Sequence, residues 1–353
     1  MVARHGARTP FALPQEVKTG RYFEKWNHGC TQLTPQGERQ HYLLGQKIRN
    51  KYMKELEFLG KTYDPRELTI ISTNYNRTIM SMYSELSALY PPGSVRNLTD
   101  EQKEYAVPPF EVKNKEKILK ELGNMPTKSG FQPVPIHVST DVLHLLKGLD
   151  NPVCAINNEF KKKFKTTERH IELNDLFAPT LRKFEKYWGI NHEIDFAVAK
   201  NYTDYVYASH MNSKHDHALD VDILEIDKLM MHSFNDYKMH YDESVRLAST
   251  KFYRYIQSTI RSKIHSLTSE TENLKGIKNR KMIFLSAHDS TLSIFLAGVE
   301  QKQPVQCPFA SHLFIELWQK AGTAGDTHDH FYVKWIYNDT PLNINKQCHN
   351  GQN

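Results

Sequence analysis

The sequence predicts an α/β protein with a mainly parallel central sheet, flanking helices and an inserted helical subdomain. Three short apolar runs each lead through a polar loop into a helical pattern, as expected where parallel strands feed crossover helices. Residues 140–240, between the second and third of these units, are instead rich in charge and histidine and contain few strand-like runs. At 353 residues the chain exceeds the usual size of one hydrophobic core. We therefore expect an α/β core of residues 1–139 and 241–353, with a helical cap subdomain at 140–240.

The predicted strands end in polar loops. The strands are Met1–Ala3, Leu68–Ile71 and Met282–Leu285. The loops that follow them are Arg4–Pro10, Ser72–Arg77 and Ser286–Asp289. Because ligands of parallel α/β sheets bind beyond the carboxyl ends of the strands, we expect a functional site where these loops meet.

Apolar spacing and helix-stop residues predict the main helices. A helix from Thr78 to about Leu89 is stopped by Pro91, and a helix over Ser290–Ala297 has Gly298 as its expected C-terminal cap. A longer helix with one apolar stripe covers Ser244 to about His265. Shorter helical patterns in the insertion are Asp141–Leu149 and Ile223–Ser233.

Composition and charge exclude some classes of protein. No apolar run approaches the roughly 18–20 residues that a membrane-spanning helix needs, so a membrane-embedded protein is not expected. The net charge of +6 and 18 histidines suit anionic substrates. Nucleic-acid binding is not expected, because the basic residues are dispersed among acids and the run Lys161–Lys163 is short.

The four cysteines do not form a CxxC pair, which disfavours a zinc ribbon or a redox dithiol. They allow up to two disulfides, and their spacing leaves the pairing open; they are Cys30, Cys154, Cys307 and Cys348. Four N-glycosylation sequons, relevant only in a secretory setting, begin at Asn76, Asn97, Asn201 and Asn338.

The loop after the first strand, Arg4-His5-Gly6-Ala7-Arg8, places two guanidinium groups around an imidazole. Arginine offers a planar fork of donors that matches phosphate oxygens, and a histidine held there can attack phosphorus. Arg77 and the pair His288-Asp289 follow the other two strands. Neither feature alone is strong evidence for a functional site. An isolated arginine such as Arg77 is most often a surface residue, and other His-Asp pairs occur in the chain.

Together the three clusters resemble the histidine acid phosphatase family, specifically its prostatic and lysosomal branch. The matching motifs are RHGARTP at 4–10, STNYNRT at 72–78 and SAHDSTLS at 286–293, and similarity extends over most of the chain in the family's order. The resemblance implies a phosphoglycerate mutase-like fold and hydrolysis of phosphomonoesters, small or on a phosphoprotein, without metal or cofactor. It also implies lysosomal or secreted localisation and leaves dimerisation open.

The resemblance further implies a role for each motif residue. His5 would be the nucleophile that becomes phosphorylated. Asp289 would protonate the leaving alcohol. The phosphoryl group would be bound by Arg4, Arg8, Arg77 and His288.

The chain departs from the family pattern at three points. Ala7 stands where this branch usually has aspartate, and Asn74 where it often has aspartate. Only three residues precede Arg4, so we expect that most of the first strand and a signal peptide are missing. The sequon at Asn76 overlaps the expected site, so we expect it to be unglycosylated.

Three alternatives stay open. A phytase or inositol-polyphosphate phosphatase would keep the fold and change the substrate. A metal-dependent hydrolase would use imidazole and carboxylate ligands; its candidates are His210, His215, Asp216, His217 and Asp220. A catalytically inactive binding protein is the third, and the short first strand is the one feature that favours it.

Overall fold

The computed structural model describes residues 1–12, 26, 28–138, 140–147, 155–268, 275–323 and 330–344. Its strands are β1 (Val2–Arg4), β2 (Leu68–Ser72), β3 (Met282–Ala287), β4 (His312–Gln319), β5 (Phe331–Tyr337) and β6 (Thr340–Pro341). They form one sheet in the order β2–β3–β1–β4–β5–β6.

The half of the sheet that carries the motif loops is parallel. β1 pairs in parallel with β3, and β3 with β2, whereas β4, β5 and β6 extend the other side of β1 in antiparallel pairs. Arg4 lies opposite Ala287, and Ser72 opposite Ser286. The loops after β1, β2 and β3 therefore leave the sheet at one edge. The predicted α/β class with flanking helices is confirmed, in a sheet that is mixed.

The helices, like the strands, alternate with loops along the chain. They are α1 (Pro35–Ile48), α2 (Asn76–Leu89), α3 (Asp100–Tyr105), α4 (Lys115–Leu122), α5 (Thr140–Leu146), α6 (Ile156–Phe164), α7 (Glu168–Trp188), α8 (Lys200–Met211), α9 (Ile223–Asn235), α10 (Asp242–Thr268), α11 (Lys275–Asn279) and α12 (Asp289–Gly298). A π-helical segment over Arg49–Glu55 continues α1. The predicted helices after the second and third strands, and the long helix after residue 244, are confirmed with slightly different ends.

The expected C-terminal cap at Gly298 is wrong. Gly298 is the last residue of α12, and Val299 follows it as the cap. A Cβ atom on Gly298 would lie 2.6 Å from the hydroxyl oxygen of Tyr253 on α10. The glycine thus permits close packing of two helices, a tertiary contact that the spacing of apolar residues cannot show.

Helices cover both faces of the sheet. On one face α1 and α2 pack on β2 and β3; this cluster includes Leu44, Ile48, Ile70, Met82, Leu86 and Phe284. On the other face α10 and α12 meet, and the rings of Phe252 and Phe295 stack with centroids 3.4 Å apart. Burial on both faces explains why β3 is almost continuously apolar.

The regular secondary structure described in the inserted region is helical, in α5 to α9. Helices α7, α8 and α9 enclose a separate apolar cluster, which includes Phe177, Phe184, Phe196 and Leu229. Two residues from outside the insertion, Ala7 and Phe309, join this cluster. The insertion therefore packs on the loop after β1. Its division from the core at 140–240 stays a prediction.

In the described part of the chain, no helix is long and apolar enough to cross a membrane. Cys30 and Cys307 carry free thiols. Cys154, Cys348 and the last two residues of the predicted helix Asp141–Leu149 lie outside the described residues. The disulfide pairing therefore stays open.

Candidate active site

The motif loops meet at the carboxyl ends of the three parallel strands. The His5 backbone N–H donates to the Ala287 carbonyl (3.0 Å), and the Thr73 N–H donates to the Ser286 carbonyl (3.1 Å). These bonds join the loop after β3 to the loops after β1 and β2. Arg4 is the last residue of β1, and the other five residues expected to form the site lie in these loops or at the first residues of the helices that follow.

A glycine contact sets the path of the loop after β1. A Cβ on Gly6 would lie 2.6 Å from the Cα of Gly37 near the start of α1, so no larger residue fits there. The Gly6 N–H donates to the Ser81 hydroxyl (3.0 Å), which itself donates to the Arg77 carbonyl (2.6 Å). This chain of bonds fixes the loop of His5 relative to the helix that carries Arg77.

His5 is held as a neutral imidazole with one free nitrogen. Its side chain is buried at 2% exposure, and its Nδ1 contacts the Gly6 carbonyl at 2.9 Å. Because a carbonyl only accepts, Nδ1 carries the proton and Nε2 keeps its lone pair. Burial, and then the charges of Arg77 and Arg4, hold the pKa of His5 well below its usual range. An unprotonated Nε2 is what a nucleophile requires.

Three buried arginines surround this imidazole. Arg4, Arg8 and Arg77 are each at most 5% exposed. Each keeps its Nε–H without a hydrogen-bond partner among the described residues. Burial and Arg8 lower the pKa of Arg77 to about 10, so this group stays cationic at neutral and acidic pH. Unpaired buried donors with positive charge define a site for an anion with several oxygens.

Arg8 is oriented by a carboxylate that the sequence motifs do not contain. Its Nη1 and Nη2 donate to the two oxygens of Asp204 at 3.1 and 2.6 Å. Asp204 is 4% exposed, lies on α8 of the inserted region, and also accepts from the Phe11 N–H (2.6 Å). Nothing in the local sequence around Asp204 marks it, since its partner is far along the chain.

Arg77 and His288 form a second link across the pocket. Arg77 Nη2 donates to His288 Nδ1 (3.3 Å), and His288 Nε2 donates to the Thr73 hydroxyl (3.0 Å). The Arg77 guanidinium also lies over the Tyr75 ring, 4.5 Å from its centroid. Burial, followed by Arg77 and Lys147, holds the pKa of His288 well below its usual range. The loop after β2 thus supplies both the cation and the residue that fixes the second imidazole.

Asp289 is paired with Arg4 on the far side of the pocket. Its Oδ2 lies 3.0 Å from Arg4 Nη2 and accepts from Gln306 Nε2 at 2.9 Å. The Phe309 ring lies against the guanidinium of Arg4 at 4.2 Å. Burial by itself raises the pKa of Asp289, but Arg4, Lys200 and Arg8 outweigh it and hold the pKa below its usual range. Without a bound anion, Asp289 is therefore ionised.

The candidate metal ligands of the insertion contact one another and other neighbours. The rings of His215 and His217 are 4.4 Å apart, and those of His210 and His215 are 5.4 Å apart. Asp216 instead accepts from the Tyr187 hydroxyl (2.7 Å). Within the described ranges, the structure contains no group of three or more histidine, cysteine or acidic side chains placed to hold a metal.

A cavity of about 540 Å³ lies at the opposite end of β1. Its walls are mainly apolar, with residues such as Val2, Leu285, Ile256 and Phe314. It does not include any of the six expected site residues. The residues that the sequence singles out therefore line the polar pocket at the carboxyl ends of the strands, and not this cavity.

An α/β fold with a histidine and three arginines buried at the strand ends defines a phosphate-handling protein. The model of the histidine phosphatase superfamily (branch 2) matches residues 1–338. The chain belongs to this superfamily, and the resemblance found in the sequence is confirmed at that level. By family it is a phosphatase, a hydrolase.

Named relatives agree with this assignment. Prostatic acid phosphatase of Mus musculus is 25% identical over 351 residues, which cover 96% of this chain and 78% of that protein. Lysosomal acid phosphatase of Xenopus laevis is 24% identical over 326 residues, which cover 91% of this chain and 65% of that protein. The match to the solved structure of the phytase from Citrobacter braakii covers 95% of this chain and 83% of that chain, with a TM-score of 0.61 and 15% identity. That structural likeness shows the shared fold.

Proposed function

We propose that the protein is an acid phosphatase that hydrolyses phosphomonoesters through a covalent phosphohistidine on His5. The observation that carries this proposal is the neutral, buried His5, whose Nδ1 is occupied by the Gly6 carbonyl while three arginines with unpaired Nε–H groups surround it. Such a site binds the phosphoryl group and leaves Nε2 free to attack it.

In the first step the Nε2 lone pair attacks phosphorus, and the bond from phosphorus to the ester oxygen breaks. The Asp289 carboxyl gives its proton to the leaving alcohol. In the second step water attacks the phosphohistidine and returns a proton to Asp289, and inorganic phosphate is released. Arg4, Arg8, Arg77 and His288 stabilise the charge on the three phosphoryl oxygens in both steps.

The ionised state of Asp289 in the empty pocket constrains how the proton arrives. A bound phosphoryl group takes up the charge of Arg4, which otherwise lowers the pKa of Asp289. At acidic pH a phosphomonoester is largely a monoanion, since its second pKa is about 6. The ester then brings the proton that Asp289 passes to the leaving oxygen, which accounts for activity in acid.

The test is hydrolysis of p-nitrophenyl phosphate from acidic to neutral pH with a chelator present. We expect acid-favoured, chelator-resistant activity that His5→Ala abolishes. The matched control is His215→Ala, which removes an exposed imidazole of the insertion and should leave activity unchanged. A fully active His5→Ala enzyme would exclude the phosphohistidine route, and chelator-sensitive activity lost in His215→Ala would favour the metal-dependent alternative.

A second candidate substrate class is the inositol polyphosphates. Three lysines near the pocket add positive charge beyond the arginines: Lys147 acts on His288, and Lys200 and Lys238 act on Asp289. Such a rim favours substrates with several phosphate groups. The ratio of turnover of phytate to turnover of a simple monoester distinguishes the two classes, and we expect the simple monoester to be preferred.

The proposed setting is an acidic lumen such as a lysosome, or the outside of the cell. The relatives with prostatic and lysosomal names support it, as does the expected use of a protonated ester. Immunofluorescence against lysosomal markers, together with assay of the culture medium, tests this setting. Protein confined to the cytosol would contradict it.

A further inference from the structure

Gln306, in the segment before β4, contacts the expected proton donor although it belongs to none of the sequence motifs. Its side chain is 3% exposed, and its Nε2 donates to Asp289 Oδ2 at 2.9 Å. The carbonyl of the next residue, Cys307, accepts from Arg4 Nη1. Two consecutive residues therefore hold both members of the Arg4–Asp289 ion pair.

Gln306 becomes more important when an ester is bound. The other described hydrogen bond to Asp289 comes from the backbone N–H of Ser290, which reaches Oδ1 at 2.7 Å. Oδ2 accepts a hydrogen bond from Gln306 and forms an ion pair with Arg4. In the proposed mechanism the Arg4 guanidinium moves toward the phosphoryl oxygens. Gln306 is then the side chain that keeps the Asp289 carboxyl oriented toward the leaving oxygen.

The amide oxygen of Gln306 points to a further contact. Gln306 Oε1 is buried and has no hydrogen-bond partner among the residues that the structure describes. A buried acceptor without a partner costs about 1–3 kcal/mol, so an O–H group from substrate or water is the expected partner. Water that attacks the phosphohistidine has two O–H groups, and the adjacent Asp289 accepts one of them.

We propose that Gln306 is a positioning residue for proton transfer at the scissile bond. Its Nε2–H fixes Asp289 while the leaving alcohol is protonated, and its Oε1 holds the second O–H of the attacking water. This inference rests on the proposed function and deepens it.

Gln306→Met tests the inference, because methionine keeps the length of the side chain and removes both hydrogen-bonding atoms. The leaving oxygen of an alkyl ester such as 2-glycerophosphate depends strongly on protonation, whereas p-nitrophenolate is a much better leaving group and depends on it only weakly. We expect kcat/KM to fall about 30-fold for the alkyl ester and less than about 3-fold for p-nitrophenyl phosphate, since general acid catalysis contributes about 100-fold or more. The control is Gln303→Met in the same segment, whose Nε2 donates to the Gln301 carbonyl.

Gln306→Glu provides a second measurement, the pH dependence of activity, which would not change if Gln306 had only a structural role. In acid the neutral glutamic acid offers an O–H donor to Asp289, so we expect activity on the alkyl ester to recover there and to fall as pH rises. Equal loss of kcat/KM on both esters in Gln306→Met, or no loss on either, would overturn the inference, whereas an equal loss of kcat on both is expected from the contact with the attacking water. His5→Ala is measured alongside: activity in that variant refutes the proposed function itself, whereas an inactive His5→Ala with an unaffected Gln306→Met refutes only the role of Gln306.

A rival donor is Asp227 on α9. Burial raises the pKa of Asp227 while Arg4 opposes the shift, and its Oδ1 is buried without a hydrogen-bond partner in the described residues. We expect Asp227→Asn to affect both esters alike. A loss confined to the alkyl ester in Asp227→Asn, with Gln306→Met unaffected, would move the acid role to Asp227 and overturn the inference.

Discussion

Replacing Asp204 by Asn tests whether the inserted region orients Arg8. The two Asp204 oxygens accept three N–H groups, two from Arg8 at 3.1 and 2.6 Å and one from the Phe11 backbone at 2.6 Å. Asparagine keeps the shape, removes the negative charge and places an amide donor where one of these oxygens accepts. The Arg8 guanidinium then stays buried beside a neutral partner.

The expected cost follows from the burial of the pair. Removing one partner of a buried ion pair costs about 3–5 kcal/mol, whereas an exposed pair is worth about 1 kcal/mol or less. Both Arg8 and Asp204 are nearly inaccessible, so we expect the free energy of unfolding to fall by about 3 kcal/mol. If Arg8 also loses its orientation toward the phosphoryl group, kcat/KM should fall by about 100-fold, a loss of about 2.7 kcal/mol in the transition state.

Urea unfolding and hydrolysis of p-nitrophenyl phosphate measure the two effects separately, at a temperature where the variant is folded. The matched control is Asp236→Asn, which weakens a partly exposed ion pair with Arg169 elsewhere in the insertion and should leave kcat/KM unchanged. The double variant Arg8→Met/Asp204→Leu should regain stability but not activity. Wild-type kcat/KM in a folded Asp204→Asn protein would refute the reasoning, because Arg8 would then be oriented without the insertion.

Three further predictions concern stability. Gly6→Ala places a Cβ 2.6 Å from the Cα of Gly37, so thermal melts should show a loss of about 1–3 kcal/mol together with loss of activity; an active, fully stable variant would contradict the loop geometry. His41→Leu leaves the buried carboxyl group of Glu85, 3.0 Å from His41 Nδ1, without its hydrogen-bond partner, and urea unfolding should show a loss of about 1–3 kcal/mol that His41→Leu/Glu85→Leu largely restores. Burial and then Lys47 lower the pKa of His312 to about 4, so below pH 6.5 the unfolded state binds a proton that the folded state does not. Stability should therefore fall by about 3 kcal/mol between pH 6.5 and pH 4 through this group, and urea unfolding of His312→Gln should show a correspondingly smaller slope with pH.

The sequence by itself determined the class of fold and predicted where the candidate site lies. Apolar runs followed by polar loops mark β1, β2 and β3 because strand burial and loop polarity are local properties. The rule that ligands bind beyond the carboxyl ends of parallel strands then placed His5, Arg77 and His288 together, and the structure brings their loops to one sheet edge. The resemblance to the histidine acid phosphatases assigned the expected roles.

The tertiary structure decided which groups hold the site residues in place. Arg8 and Asp204 are 196 positions apart, and Asp289 and Gln306 are joined across the gap between α12 and β4. Such partners come from packing of separate elements, which no spacing rule encodes, because side chains pair by distance in space. The same reason explains why the prediction for Gly298 failed. The sequence predicts a helix C-terminal cap there, whereas in the fold the glycine makes room for the side chain of Tyr253.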